Sequence, residues 1–548
     1  MRLSRRTVLK SAAVAGAAAV TTPFLARAAG AASAPGDVVG KITVGYQGWF
    51  ACIGDGAPIN AWWHWSQNWS QPPSPTNNGT LRAWPDMREY PKGYQTAYAN
   101  LGNGQPATLF SSYDQATVNL HFQWMQQNNI DTAALQRFNP NGGEGATRDA
   151  VASRVRSAAE AYGRKFYVMY DVSNWTAMQS EIKADWTSKM SAHAASSAYA
   201  RQQGRPVVGI WGFGFDDPNH PWDAAACLDV INWFKGQGCY VMGGVPRGWR
   251  TATAGSRAGY LGVYHAFNML SPWMVGAIGT IAEADNAYAN LTLPDLADCN
   301  ANGVDYQPCV LPGDVSARQR VHGDFMWRQF YNMVRGGVQS IYISMYDEFN
   351  EGNQIVKTAE SSAYLPANSG LLGLNEDGTA CSSDYYLRLT GDGGRMLKGQ
   401  IALTATRPTA PVLGNPSTTV ISLRSRANNL YVCADNAGAS PLIANRTTIG
   451  AWEQFDLLDA GGGNVALRAH ANGQIVCADN AGVSPLIANR TAVGGWETFQ
   501  LLRNADGTVS LRALADNNYV TAENAGAQAL IANRASIGAW EKFDLIGA

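Results

Sequence analysis

Asp347, Glu348 and Glu351 lie directly after the run Ser-Ile-Tyr-Ile-Ser-Met-Tyr at 340–346. An apolar, β-branched and aromatic run of this kind suits a buried parallel strand, so the acids fall where the chain leaves its sheet. Like charges held that close raise one another's affinity for protons. Paired carboxylates are what cleavage of a glycosidic bond needs: one protonates the leaving oxygen and the other acts on the opposite face of the sugar. A solvated turn after a strand would give the same local pattern. The elements that place these acids must therefore decide between the two.

Short apolar runs recur at 42–46, 132–138, 165–170, 207–210, 240–245, 273–278, 307–311 and 340–346. Helix-period segments lie between several of them, as at 147–162 and 224–235. Eight alternating units predict a (β/α)8 barrel over 37–406, whose chemistry sits at the C-terminal ends of its strands. The strand ends then deliver Trp49, Gln136, Arg137, Asp171, Trp211, Phe213, Arg247, Tyr346 and Asp347 to one face. Aromatics, arginines and acids gathered on one face predict a sugar-binding groove. Each of these residues taken alone also suits a structural role.

At 548 residues the chain exceeds a single core, so more than one domain is expected. A net charge of −1, with 15% charged residues, provides no basic surface for nucleic acid. The N-terminus carries Ser4-Arg5-Arg6-Thr7-Val8-Leu9-Lys10, an Ala/Val stretch and Ala26-Arg27-Ala28. This reads as a twin-arginine export signal over 1–28, too short for a membrane span, and predicts a secreted protein. Export makes the 8 cysteines candidates for disulfides, with Cys299–Cys309, Cys227–Cys239 and Cys433–Cys477 as possible pairs. The stretch 298–305 resembles half a calcium loop but has Cys309 where the bidentate glutamate belongs, so a disulfide-closed surface loop is expected. The 7 histidines are scattered, and neither a metal nor a cofactor is expected.

From Ile421 onward one unit occurs three times. Trp452-Glu453, Trp496-Glu497 and Trp540-Glu541 lie 44 residues apart, and Leu423-Arg424, Leu467-Arg468 and Leu511-Arg512 keep the same period. A unit of that size cannot bury its own apolar face, so three must share one core. A closed threefold arrangement, the β-trefoil, removes open sheet edges and is the fold expected for 420–548. Each Trp-Glu pair has two readings. The indole can stack on a sugar while the carboxylate accepts from hydroxyls, or the Trp and the nearby Phe455, Phe499 or Phe543 belong to the core and the acid faces solvent. The Pro/Thr-rich stretch 407–419 reads as a linker.

Val44-Gly-Tyr-Gln-Gly-Trp-Phe50, Leu120-His-Phe-Gln-Trp-Met125, Leu135-Gln-Arg-Phe138, Val207-Val-Gly-Ile-Trp-Gly-Phe-Gly-Phe215, Val241-Met-Gly-Gly-Val-Pro246 and Met345-Tyr-Asp-Glu-Phe-Asn-Glu-Gly352 resemble segments of secreted glycoside hydrolases of families 71 and 99. Glu348-Phe-Asn-Glu-Gly352 is similar to the Glu-Trp-His-Glu-Gly motif of the family 99 endo-α-mannosidases. The resemblance implies a retaining reaction in which the substrate's 2-hydroxyl takes part. Glu348 would then be the base on that hydroxyl, and Glu351 the acid on the leaving oxygen and afterwards the base on water. Phe349 and Asn350 replace the motif's Trp and His, which leaves sugar and linkage open. The repeats resemble fascin-like and ricin-like trefoils that bind carbohydrate on secreted hydrolases. The expectation is an exported, monomeric glycoside hydrolase, endo-acting on an α-mannan or α-glucan. An exo-acting xylosidase or arabinosidase, or a non-catalytic lectin, is the alternative.

Overall fold

The structure is a computed structural model that describes residues 33–412, 419–461, 464–491, 493–504 and 506–547. The twin-arginine stretch and residues 413–418 of the expected linker lie outside the described residues. The chain forms two compact units. One runs to Asp377 and resumes over Tyr386–Arg407; the other joins Gly378–Tyr385 to the chain from Pro408 onward.

The first unit is built on a curled sheet whose main strands are parallel, with the short Arg201–Gln202 paired antiparallel to Arg205–Trp211. Its strands are β1 (Ile42–Tyr46), β2 (Thr132–Arg137), β3 (Lys165–Asp171), β4 (Arg205–Trp211), β5 (Tyr240–Val245) and β6 (Met269–Pro272). Strand β7 comes in two pieces, Asp305–Tyr306 and Cys309–Val310, and β8 is Ile341–Ile343. Each strand from β1 to β6 pairs with the next in parallel register through to the first piece of β7. The second piece of β7 pairs with β8, and β8 pairs with β1. The two edges of the sheet thus belong to one stretch of chain. Helices alternate with the strands, among them Gln115–Gln127, Gly145–Tyr162, Met178–Ser188, Ala224–Gly236 and Asp324–Arg335.

The strands read as near-continuous apolar runs because both faces are covered, one by helices and one by the sheet's own interior. That interior is tight. A Cβ on Gly45 would lie 2.3 Å from Met345 Sδ and 2.4 Å from the Tyr342 hydroxyl, so only glycine lets these side chains fill the space inside β1.

Several expectations change. The sixth strand is Met269–Pro272 rather than 273–278: register with β5 runs through Met269 to Pro272, and the more apolar run beyond it forms turns. The stretch 298–305 is no closed loop, since Leu293–Asn302 is a helix that opens with Pro294 and ends at Gly303. All 8 cysteines are buried and no disulfide is seen among the described residues, which corrects the expected pairs Cys299–Cys309, Cys227–Cys239 and Cys433–Cys477. Cys433 and Cys477 occupy equivalent strands of different repeats, each beside its own repeat's Asp435 or Asp479. Cys309 lies against Ser344 Oγ at 3.4 Å.

Arg137, expected in the groove, is instead a fold-holding residue. Its Nε donates to Asp185 Oδ2 at 2.6 Å and its Nη2 to Asp149 Oδ1 at 2.7 Å, joining the end of β2 to two helices. Tyr170 donates to the same Asp185 at 3.0 Å. Arg137 and Asp185 are both buried.

The second unit is a six-stranded antiparallel barrel of Thr419–Ser425, Phe455–Gly461, Asn464–Ala469, Phe499–Arg503, Val509–Ala513 and Phe543–Ile546. Their pairings run in a ring that returns from the last strand to the first. Three hairpins, one per repeat, carry Leu442–Arg446, Leu486–Arg490 and Leu530–Arg534 as their second strands, and these strands contact one another. One shared core receives the same positions from each repeat, such as Val432, Val476 and Val520 with Phe455, Phe499 and Phe543.

Removing one partner of a buried ion pair leaves the other charge unpaired, at a cost of about 3–5 kcal/mol. Arg137→Ala should therefore lower the stability of the first unit by that amount in calorimetric unfolding. Arg156→Ala, which breaks the exposed Arg156–Glu160 pair, should change it by less than about 1 kcal/mol. Equal effects would show that Arg137 is not a structural anchor.

Candidate active site

The chain leaving β8 stays against β1: Tyr346 N donates to Gly45 O at 2.7 Å. Asp347 comes next, and its carboxylate takes over where the backbone ladder stops. Oδ1 accepts from Gln47 N at 2.7 Å and Oδ2 from Gly48 N at 2.9 Å. Gly48 has φ +56, the left-handed conformation that presents its N–H to the acid at little steric cost. The same Gln47 extends its side chain to Glu348, with Nε2 donating to Oε1 at 2.8 Å. Arg148, on the helix Gly145–Tyr162, donates from Nη1 to Gln47 O at 2.6 Å and from Nη2 to Gln136 O. One buried guanidinium thereby ties the ends of β1 and β2 beneath the acids.

The electrostatics of the acids differ. Burial pushes Asp347 up to about 6, against the pull of the Gly48 and Gln47 N–H groups and of Arg148. Glu348 is only 4% exposed, and burial raises it well above the usual carboxylate range. Glu351, Asp347 and Asp171 raise it further, while the Gln47 bond opposes them. Its Oε2 is buried with no donor beside it among the described residues. Glu351 is exposed, yet neighbouring atoms strip water from its carboxylate and raise it too, with Arg82 opposing and Asp314 reinforcing. Arg82 itself pairs with Asp314 at 2.6 Å. The result is a coupled acid pair, one member sunk in the fold and the other facing solvent.

Asp171 at the end of β3 accepts from Ser173 N at 2.9 Å. Ser173 Oγ lies 2.9 Å from His220 Nε2, and His220 Nδ1 lies 2.8 Å from Asp217 Oδ1, so a short hydrogen-bond chain holds the turn that carries Asp171. Trp49 stacks on His64 at 3.8 Å and on Phe138 at 5.6 Å, while Trp211 packs against Phe215, His220 and Trp273. Burial, then Arg148, holds His64 down at about 3, so it is neutral where it stacks on Trp49. Gln136 lies within the sheet, its Nε2 3.4 Å from the Tyr342 hydroxyl.

The structure thus gathers Asp347, Glu348 and Asp171, with Glu351 acting on Glu348, whereas the Gln136 side chain packs inside the sheet against Tyr342. Tyr346 is fully buried and donates to His121 O at 2.9 Å, and Phe213 is fully buried against Phe267, so both pack inside the fold. Arg247 lines a different cavity of about 360 Å³, with Met274, Ile278 and Leu291. In the repeats, Glu453, Glu497 and Glu541 are buried and accept from Gly450, Gly494 and Gly538 N at 2.7, 2.8 and 2.7 Å. They close turns and do not reach solvent. Phe455, Phe499 and Phe543 are core, whereas Trp452 and Trp496 are 37% and 41% exposed and Trp540 is half-buried. Among the described residues no group of three or more His, Cys, Asp or Glu is placed to hold a metal ion.

Gln47 and Arg148 escape a reading of the sequence. Gln47 carries a signal, its place beside Gly48 at a strand end; Arg148 carries none, since a helical arginine normally reads as a solvated face.

No protein-family model matches the chain, and no curated protein does. Among solved structures, an endo-α-mannosidase of glycoside hydrolase family 99 from Bacteroides thetaiotaomicron is similar over 66% of this chain and 98% of its own, at 13% identity and a TM-score of 0.48. A designed 3-fold symmetric protein is similar over 23% of this chain and 97% of its own, at 24% identity and a TM-score of 0.22. An exo-β-1,3-galactanase from Clostridium thermocellum is similar over 26% of this chain and 33% of its own, at 15% identity and a TM-score of 0.22.

Raised carboxylates cost stability once they ionise. Asp347 and Glu348 titrate near 4 in the unfolded chain but higher in the fold. Their contribution therefore turns unfavourable as pH rises above 4 and reaches its full cost above the folded values. Glu348→Gln removes one of these charges. Its melting temperature should exceed that of wild type by a few degrees at pH 7.5, and the gap should shrink steadily toward pH 5. The neutral His64 and His121, which both proteins share, cancel in that difference. A gap independent of pH would place the raised charge elsewhere.

Proposed function

We propose that the chain is an exported glycoside hydrolase with a (β/α)8 catalytic domain and a β-trefoil glycan-binding module. The observation that carries this reading is the coupled pair at the end of β8. Glu348 is buried, bonded to Gln47 and pushed up by its neighbours, while Glu351 faces solvent beside Arg82 and Asp314. Two carboxylates that repel each other share a proton, and a shared proton is what acid and base roles on one glycosidic bond require.

Burial raises the proton affinity of both acids, and Glu348 is the more deeply buried of the two. A sugar hydroxyl donated to Glu348 stabilises its carboxylate form, and the sugar ring shields Glu351 from water and raises its proton affinity. Substrate binding thus favours the carboxylate form at Glu348 and the protonated form at Glu351. In the retaining route implied by the motif, Glu348 then draws the proton from the 2-hydroxyl. Glu351 protonates the leaving oxygen and afterwards activates water. Asp347 and Gln47 hold Glu348 in place, Asp171 adds negative charge beside it, and Trp49 and Trp211 flank the sugar.

The resemblance of 348–352 to the endo-α-mannosidase motif favours cleavage within an α-mannan, with α-glucan next. Trp452, Trp496 and Trp540 would give the trefoil three weak sites that add by avidity on a polymer. The twin-arginine stretch supports export.

The test incubates wild type, Glu348→Gln and Glu351→Gln with α-mannans, α-glucans, β-glucans, xylans and arabinans, counting new reducing ends and reading product lengths by mass spectrometry. Wild type should release oligosaccharides from one polymer, and each variant should lose at least about 100-fold in rate. Release of single pentoses would indicate the exo-acting xylosidase or arabinosidase instead. Binding without turnover, unchanged in both variants, would leave a lectin.

A further inference from the structure

The stretch after β1 contains Trp62, Trp63, His64, Trp65 and Trp69 within a few residues. Trp62 and Trp65 are buried and anchor the loop. The others form a continuous aromatic path. His64 stacks on Trp49 at 3.8 Å, Trp63 meets His64 edge-on at 5.2 Å, and Trp69 meets Trp63 at 4.0 Å. At the far end Trp69 is 50% exposed. An indole that open, on a loop anchored by buried tryptophans, has a face to offer.

Sequence neighbours of Trp69, Gln67, Asn68 and Gln71, line a hollow of about 550 Å³ together with Ser74, Thr76 and Asn77 and the apolar Pro72 and Ala97. None of these side chains carries a charge; amides and hydroxyls do all the polar lining. The hollow is preformed. Asn77 Oδ1 accepts from Asn68 N at 2.7 Å, and its Nδ2 donates to the carbonyls of Asn68, Gln71 and Pro72 at 3.2–3.3 Å. Trp62 N donates to Trp69 O at 2.8 Å, which closes the base of the loop. A flat apolar face beside neutral donors and acceptors matches a sugar ring, whose C–H face is apolar and whose rim carries hydroxyls. It does not match a phosphate or a uronate, which would need a cation in the lining.

We propose that the loop 61–80 is a distal glycan-binding subsite, selective for an uncharged polysaccharide and linked by the path Trp69–Trp63–His64 to Trp49, which follows Gln47 and Gly48 at the end of β1. Its part in turnover rests on the hydrolase reading above; its binding of glycan does not. By holding the chain outside the cleft it would commit the protein to internal cleavage of long polymers.

The test uses the full chain as wild type, Trp69→Ala, Trp69→Phe, and the triple variant Trp452→Ala/Trp496→Ala/Trp540→Ala, the last also combined with Trp69→Ala or Trp69→Phe. Affinity electrophoresis is run through gels containing α-mannan, α-glucan, β-glucan, xylan or arabinan, with polygalacturonate as the anionic control. In the triple-variant background, Trp69→Ala should weaken retardation by the bound neutral polymer about tenfold. Trp69→Phe should keep most of it, and polygalacturonate should not retard any form. For a polymer that is cleaved, Trp69→Ala should raise KM for long chains and leave kcat/KM on trisaccharides unchanged. Retardation that ignores Trp69, or equal binding of polygalacturonate, would overturn the subsite. A Trp69-dependent retardation in a protein that cleaves nothing would uphold it while removing the hydrolase reading.

Discussion

Two backbone N–H groups, those of Gln47 and Gly48, both point at the carboxylate of Asp347, and the candidate site depends on that clamp. Strand β8 pairs with β1 only from Ile341 to Ile343, too short a ladder to orient the acids beyond its end. Asp347 extends the pairing with its side chain and locks the exit of β8 to the exit of β1. Glu348, the next residue, is then within reach of the Gln47 amide. Gln47 uses its N–H on Asp347, its side chain on Glu348 and its carbonyl on Arg148. A single residue at a strand end therefore couples the backbone of the sheet to the charge of the acid. This is why residues that never touch a ligand belong in any account of the site.

The arrangement is costly in isolation. Asp347, Glu348 and Asp171 crowd three carboxyl groups into a poorly solvated space, and the buried Arg148 draws down the proton affinity of Asp347 and Asp171. His64 stays neutral, so it adds shape rather than charge. Such a cluster persists only where the surrounding fold over-determines the geometry. Here the surround is rigid on several sides. Arg137 pins the end of β2 to Asp185 and Asp149, and Phe349 is buried against Phe50, Trp65 and Phe110. The buried Arg320 donates from Nη2 to Gly352 O and Gln354 O, each at 2.8 Å, and so fixes the turn behind Glu351. Phe349 is thus a packing residue.

The parts of the fold that repeat or alternate are legible in the sequence. The 44-residue period announces one shared core, and the runs at 42–46, 165–170 and 240–245 lie in strands. Hydropathy misleads at the sixth strand, because 273–278 is more apolar than Met269–Pro272 but lies beyond the register with β5. It is silent on direction as well. Arg137 and Tyr346 stand at strand ends as expected, yet both turn into the packing, since the neighbouring helices supply Asp185 and His121 O as partners. Those partners are far away in sequence, and no local pattern signals them. The cysteines show the same limit: export argues for pairing, whereas each thiol is buried in its own surroundings.

In the repeats, sequence period does not separate support from display, and burial does. Glu453, Glu497 and Glu541 fold inward onto glycine N–H groups. Arg446, Arg490 and Arg534 pair with Asp435, Asp479 and Glu523 at 2.6–2.8 Å. Once those charges are bonded within their own repeats, the Trp face is what remains for solvent at Trp452 and Trp496. The first unit repeats the pattern at a different scale. Beside Trp69 the lining is amide and hydroxyl, with no ionised group. Two unrelated folds in one chain thus present an indole with the nearby charges either absent or already paired. A charged ligand would gain nothing at such a surface and would lose its hydration, whereas an uncharged ring gains contact on one face and keeps its hydroxyls bonded at the rim. On the function proposed above, such surfaces would select for neutral rings, and the acids at the end of β8 would act on the bond between them.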